Sequence, residues 1–309
     1  MLRSWHVSGR TIDVGQRTLV MGVLNITPDS FSDGAQFFEL EKAIRHAEQM
    51  VADGADIIDI GGESTRPGAT PISPEEEIQR VIPAIEQLAK TISAPISVDT
   101  TKALVAAAAL NAGASIINDV SALRFDLHLA DVAAKARAGL VLMHSRGMPG
   151  TMHGLPPVDN ILEEVTGSLH ASIKMAETRG VARESIVIDP GIGFGKTQEQ
   201  NLELIAKLDQ LANAFKEFPI LIGTSRKSFI GRVLEGVPVS ERLHGTMATV
   251  SAAVLRGADI VRVHDVKAAV ETVRTLDAIK AGGNEGVSET EKNFHAKTQR
   301  SKDAKEKQD

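Results

Sequence analysis

Short β-branched apolar runs alternate along the chain with stretches whose apolar residues recur at helical spacing. Eight runs end on Gly or on a polar side chain: 18–26 with Asn25, 56–62, 95–100 with Asp99, 115–120 with Asn118, 140–144, 186–191 with Asp189, 219–224, and 260–266 with Arg262 and His264. Between them lie helix-like stretches at 40–53, 74–90, 102–111, 127–138, 160–179, 200–213, 241–255 and 267–280. Continuous apolar runs separated by amphipathic segments predict parallel strands covered by helices, and eight such units predict an α/β TIM barrel, (β/α)8. Residues 5–20 predict a short N-terminal β-hairpin that plugs the barrel, with its turn at 13–16 around Gly15. Ser73-Pro74 followed by Glu75, Glu76 and Glu77 reads as a helix start, and Gly54, Gly113, Gly139, Gly180 and Gly257 read as helix stops. A repeated Gly-Ala phrase at 54, 113 and 257 echoes one β/α unit.

Composition narrows the classes. A 42% hydrophobic content is ample for one large core, assigned to residues 1–281. The net charge of −6 disfavours general nucleic-acid binding while leaving room for a local anion site. No apolar run reaches the roughly 18 residues of a membrane span, since 103–117 is interrupted by Asn111 and Gly113. With no signal-peptide core near the start, no membrane and a cytoplasmic location are expected. Zero cysteines exclude disulfides and thiolate ligands. Residues 282–309 are rich in charge and almost free of apolar side chains, so a disordered tail is expected.

In a barrel, chemistry sits on the loops after the strand C-termini. The loops at 27–38 and 63–74 mix Pro, Gly, Ser, Asp and Thr and have lid character, and Thr65-Arg66-Pro67 sets a fixed charge beside a rigid residue. Arg262 and His264 share one face of the last strand, and with Lys227 and nearby His144 they form a candidate phosphate or diphosphate clamp. Ser228 begins a helical stretch beside free backbone N–H groups. Asp99, Asn118 and Asp189 offer acceptors that suit a flat heterocycle with several N–H donors, and Asp59 has a weaker claim to the same network. The run from Asp189 to Thr197 fails as a P-loop, because Pro190 stands where its first Gly is required; Phe194 reads as an apolar wall. His46, His128, His153 and His170 read as surface residues.

Seven segments in order resemble bacterial dihydropteroate synthase: Leu24-Asn-Ile-Thr-Pro-Asp-Ser-Phe-Ser-Asp33, Gly61-Gly-Glu-Ser-Thr-Arg-Pro-Gly68, Ser97-Val-Asp-Thr100, Ile117-Asn-Asp119, Asp189-Pro-Gly-Ile-Gly-Phe-Gly-Lys196, Ser225-Arg-Lys-Ser228 and Arg262-Val-His-Asp265. Ala35 departs from the pattern, which has a second Gly there. The resemblance implies condensation of 4-aminobenzoate with (7,8-dihydropterin-6-yl)methyl diphosphate. It implies that Asp99, Asn118, Asp189 and Lys227 hold the pterin, and that Arg66, Arg262 and His264, with Mg²⁺ bound through Asn25, take the diphosphate. Thr65, Pro67, Phe194, Lys227 and Ser228 would shape the aminobenzoate pocket, Asp33 is a candidate late proton acceptor, and a homodimer is implied. Two alternatives share the pterin acceptors. A methyltransferase domain has little use for the cluster of Arg66, Lys227, Arg262 and His264, and a non-catalytic binder predicts no diphosphate release.

Overall fold

The computed structural model describes residues 3–26, 36–64, 70–147 and 151–284, without the side chains of 36–39, 153, 283 and 284. Asp33, Thr65, Arg66, Pro67, parts of both expected lid loops and most of the expected tail lie outside the described residues.

Two antiparallel strands, β1 (Arg3–Val7) and β2 (Arg10–Val14), precede the barrel. The barrel strands are β3 (Leu19–Asn25), β4 (Ile57–Gly61), β5 (Ile96–Asp99), β6 (Ile116–Asp119), β7 (Gly139–Met143), β8 (Ile186–Asp189), β9 (Leu221–Ile222) and β10 (Ile260–Val263). They pair in parallel, each with its sequence neighbour, β10 returns to β3, and a bridge between Ile188 and Ile220 closes the ring. Around them lie α1 (Gln36–Ala52), α2 (Pro74–Thr91), α3 (Ala103–Ala112), α4 (His128–Ala136), α5 (Ile161–Thr178), α6 (Gln198–Ala206), α7 (Leu208–Ala214), α8 (Ser228–Val233), α9 (Leu243–Leu255) and α10 (Val266–Asn284).

Each strand is apolar on both faces because both are covered. Val20, Ile58, Ile60, Val98, Ile117, Leu140 and Ile188 face the helices. The alternate positions Leu19, Met21, Ile57, Ile116, Val141, Val187, Leu221 and Ile260 point inward, where they pack with Trp5, Val7 and Val14 of the hairpin. The hairpin therefore seals the end of the barrel from which the strands start, and Trp5 Nε1 donates to the Ser185 carbonyl at 2.9 Å.

Several boundaries differ from the sequence reading for definable reasons. The hairpin turn is Ser8-Gly9, both at positive φ (45° and 79°), a two-residue turn whose twist suits the strands. Gly15 instead lies in the connection to β3. Gly139 is not a helix stop but the first residue of β7; a Cβ there would lie 2.6 Å from Val7 Cγ1, so its missing side chain seats the hairpin. Arg137 takes the left-handed position that ends α4. The 200–213 stretch starts earlier, because Thr197 and Gln200 make a reciprocal capping box, and it divides into α6 and α7 at Lys207. The Ser73 cap stands as expected, its hydroxyl accepting from Glu76 N at 3.1 Å, a contact worth about 1 kcal/mol. Helix α10 runs from Val266 to Asn284.

Candidate functional site

Strand parity carries the inward face upward from the apolar floor into a polar layer. Above Ile57 it continues to Asp59 and Gly61, above Ile116 to Asn118, above Val187 to Asp189, and above Ile260 to Arg262 and His264. Pairing aligns Asn25, Gly61, Asp99 and Asn118 in one register row across four neighbouring strands. Asp99 and Asn118 thus share a level at the C-terminal mouth of the barrel, and Asp189 stands two residues beyond Val187, which Val141 links to that row.

Arg262 joins this group from the other side. Its Nε donates to Asp59 Oδ2 at 2.6 Å and its Nη2 to Asp99 Oδ2 at 2.7 Å, while Asn118 Nδ2 donates to the same Asp59 oxygen at 3.0 Å. Asp59 is fully buried, Asn118 is 3% exposed and Asp189 4%. Burial pushes the Asp99 carboxyl up to about 7, against the attraction of Arg262. Burial also works against the guanidinium, but Asp59 and Asp99 outweigh it and hold Arg262 above its ordinary pKa. A buried guanidinium is tolerated here because two carboxylates meet it. Asp59 Oδ1 and Ser97 Oγ, on register-paired residues, have no hydrogen-bond partner among the described atoms.

Asp189 Oδ1 accepts from Gly191 N at 2.7 Å, and burial raises its pKa. Gly191 is at φ +68°, and an added Cβ would fall 1.8 Å from the His144 carbonyl oxygen, so only glycine fits. Lys227 Nζ donates to the Ile192 carbonyl and sits 4.3 Å from the Phe194 ring centroid. Burial lowers Lys227 to about 8, with Asp189 resisting.

Its neighbour aims it. Arg226 adopts φ +57°, donates to Asp265 at 2.9 and 2.5 Å, bonds Thr246 Oγ1 through its N–H, and accepts from Arg242 through its carbonyl. These four ties fix the turn that sends Lys227 toward the mouth. Ser225 Oγ lies 3.0 Å from His264 Nδ1 and accepts from its backbone N–H, which orients the ring. Ser228 is exposed on the first turn of α8, whose cap is Lys227. Asn25 ends β3, exposed at the rim.

His144 does not join the expected phosphate clamp. It follows Met143, so parity turns it outward, where it is 2% exposed and lies 2.9 Å from Lys196 Nζ through Nδ1. Burial depresses it to about 2. His46, His128 and His170 are exposed, as expected.

Two contributors escaped the sequence reading. Lys196, 7% exposed, sends its Nζ to the carbonyls of Gly191 and Phe194 at 2.8 and 3.2 Å, pinning the loop that carries Phe194. Burial holds its pKa well below the ordinary value. Its motif was visible, but nothing in the spacing said that the amine folds back onto its own loop. Lys102 bridges Glu63 at 2.7 Å and the fully buried Glu77 at 2.5 Å, and Glu63 also accepts from Ile72 N. That triad anchors both ends of the second loop; from sequence, Glu77 read only as first-turn charge.

A closed parallel barrel, sealed below and lined at its mouth by carboxylates, an amide, Arg262 and Lys227, defines a (β/α)8 protein with a polar, charged layer where enzymes of this fold carry their chemistry. The family model "Pterin binding enzyme" matches residues 21–264. A dihydropteroate synthase from Synechocystis sp. is 48% identical over 88% of this chain and 93% of its own. The crystal structure of the Clostridium difficile dihydropteroate synthase, obtained in the presence of pteroic acid, superposes with a TM-score of 0.82 at 48% identity, covering 87% of this chain and 98% of that one. The Xanthomonas albilineans enzyme with 4-aminobenzoic acid gives 0.82 at 42% identity, covering 90% and 99%. The chain belongs to the dihydropteroate synthase family of pterin-binding enzymes.

Proposed function

We propose that this chain condenses 4-aminobenzoate with (7,8-dihydropterin-6-yl)methyl diphosphate, releasing 7,8-dihydropteroate and diphosphate. The observation that carries this reading is the register row from Asn25 to Asn118, joined by Arg262 to Asp59 and Asp99. Ring N–H donors find acceptors in Asp99, Asn118 and Asp189, deep in the mouth. Fixed there, the ring presents its methylene carbon toward the rim. The amine nitrogen forms a bond to that carbon as the carbon–oxygen bond to diphosphate breaks, and one amine proton leaves afterwards. A neutral aromatic amine needs no strong base before attack; Asp33 remains our candidate for the late acceptor.

Lys227 and Arg262 supply positive charge beside the breaking bond, each held by a partner within the mouth. His264, held by Ser225, and Arg66 are assigned to the departing diphosphate. Phe194, Thr65, Pro67 and Ser228 are assigned to the aminobenzoate side.

Among the described residues no cluster of three His, Asp or Glu side chains could hold a metal ion alone. Asn25 offers a hard oxygen donor across Gly61 from Asp99, a set that fits Mg²⁺ carried largely by phosphate oxygens and water. When bound, Mg²⁺ would neutralise the diphosphate charge. We also assign a homodimer, to be tested by light scattering, and a cytoplasmic location, to be tested by fractionation. No described helix is long and apolar enough to cross a membrane.

The decisive experiment incubates the full chain with both substrates and Mg²⁺ and follows dihydropteroate and diphosphate. Equimolar formation is expected; pterin binding without diphosphate release would overturn the reading.

A further inference from the structure

Glycines within a strand weaken it and lack a side chain to pack, so each one needs a reason. For most strand glycines here the reason is the protein's own packing. A Cβ at Gly22 would meet Met50 Sδ at 2.8 Å, and one at Gly139 would meet Val7 Cγ1 at 2.6 Å. Gly62, just after β4, would bring one 2.7 Å from Val81 Cγ1.

Gly61 is different. It ends β4 facing the barrel interior, its φ is not in the left-handed region, and the nearest described atoms to an added Cβ are Asp99 Cβ at 3.5 Å, Asn25 Oδ1 at 3.8 Å and Asp99 Oδ2 at 3.8 Å. These are ordinary contacts, so an alanine fits the folded protein without moving anything described. Gly223 is also open, with only Arg262 Cβ at 3.9 Å, but it does not stand between Asp99 and Asn25.

The missing side chain leaves a slot in the register row, between the ring acceptors that begin at Asp99 and the rim donor Asn25. A ligand held by the first and reaching the second must cross the level of Gly61. The ring itself spans Asp99, Asn118 and Asp189, on β5, β6 and β8, and so lies to the other side.

We propose that Gly61 is a specificity-determining residue, its bare backbone forming the slot that admits the methylene diphosphate arm of the pterin substrate. This rests on the reaction proposed above. A methyl group in the slot would occupy the path of the arm while leaving the ring acceptors untouched.

The test is Gly61→Ala in the full chain, with affinity for the pterin diphosphate and for 7,8-dihydropterin lacking a 6-substituent measured by calorimetry, alongside melting temperature. The expected result is a loss of at least about 10-fold for the diphosphate, as one misplaced contact commonly causes, with the bare ring bound within about 2-fold and melting temperature unchanged or slightly raised. Undiminished diphosphate affinity would overturn the slot, and so would equal losses for both ligands, which would give the space to the ring. A fall in melting temperature would also overturn it, because the space would then belong to packing. Wild-type protein that binds the diphosphate but forms no dihydropteroate would overturn the reaction and leave the slot standing on the binding arm alone, so the two failures are separable.

Discussion

Arg262 Nη2 and Asp99 Oδ2, from residues 163 positions apart in the chain, meet at 2.7 Å across the barrel mouth. The residue expected to take diphosphate charge is therefore also the counter-charge of the ring acceptors.

Arg262→Ala should for that reason weaken the pterin diphosphate and the pterin alcohol together, with the larger loss for the diphosphate. Without the guanidinium, Asp59 and Asp99 face each other unneutralised, and the Asp99 carboxyl rises further. A charged hydrogen bond of about 1.5–3 kcal/mol corresponds to roughly 10-fold to 150-fold in the diphosphate's affinity. Calorimetry with both ligands checks it, and an unchanged alcohol affinity would mean that the pair with Asp99 does not matter to the ring.

Pterin affinity should depend on pH with two limbs. Asp99 is protonated below about 7 in the ligand-free protein and then loses acceptor character, so affinity rises as pH climbs through that value. Lys227 loses its proton above about 8, so affinity for the diphosphate falls there. Lys227→Met should abolish the upper limb only. For stability the sign is opposite: below about 8 both folded and unfolded Lys227 are charged and the burial penalty is fully present, and it is relieved as pH rises from there toward the ordinary lysine value. Fluorescence titration of the ligand across pH 6 to 9.5 (roughly spanning both groups) reads the limbs.

Asp189→Asn should cripple pterin binding without unfolding the protein. Asparagine Oδ1 can still accept from Gly191 N, so the loop keeps its anchor, while the amide presents a donor to ring donors. Mispairing of about 1–3 kcal/mol predicts a loss of roughly 5-fold to 150-fold in affinity. Wild-type affinity in this variant would remove Asp189 from the ring contacts.

Lys196→Met should raise the aminobenzoate KM more than the pterin KM, because it frees the loop bearing Phe194 and leaves the Gly191 and Phe194 carbonyls without their donor. Unsatisfied buried acceptors cost about 1–3 kcal/mol each, so melting temperature should drop as well. Equal changes in both KM values would point to a general loss of structure.

Removal of residues 285–309 should leave rate and melting temperature unchanged, since that segment has almost no apolar side chains with which to dock. A thermal melt and a rate assay decide it.

Much of this architecture is legible in the sequence because strand parity is local. Once Ile57 faces inward, Asp59 and Gly61 must follow, and the same counting places Asn118, Asp189 and Arg262. Parity also separates His144 from the phosphate residues with which its place at the end of an apolar run groups it, because it follows the inward-facing Met143. Partners brought together by barrel closure are not legible in this way. Nothing near Arg262 in the chain announces Asp59, and nothing near Lys102 announces Glu63. The hairpin turn is not legible in this way either: Gly15 is as turn-like as Gly9 in the sequence, and only the register of Val7 with Arg10 separates them.

The hairpin that seats on Gly139 has a kinetic consequence. With Trp5, Val7 and Val14 filling one end of the barrel, whatever rests on Asp99 and Asn118 shares a single doorway with everything that follows it. If the proposed reaction runs here, a pterin lying on Asp99 and Asn118 would have to arrive before the aminobenzoate that follows it through the same opening.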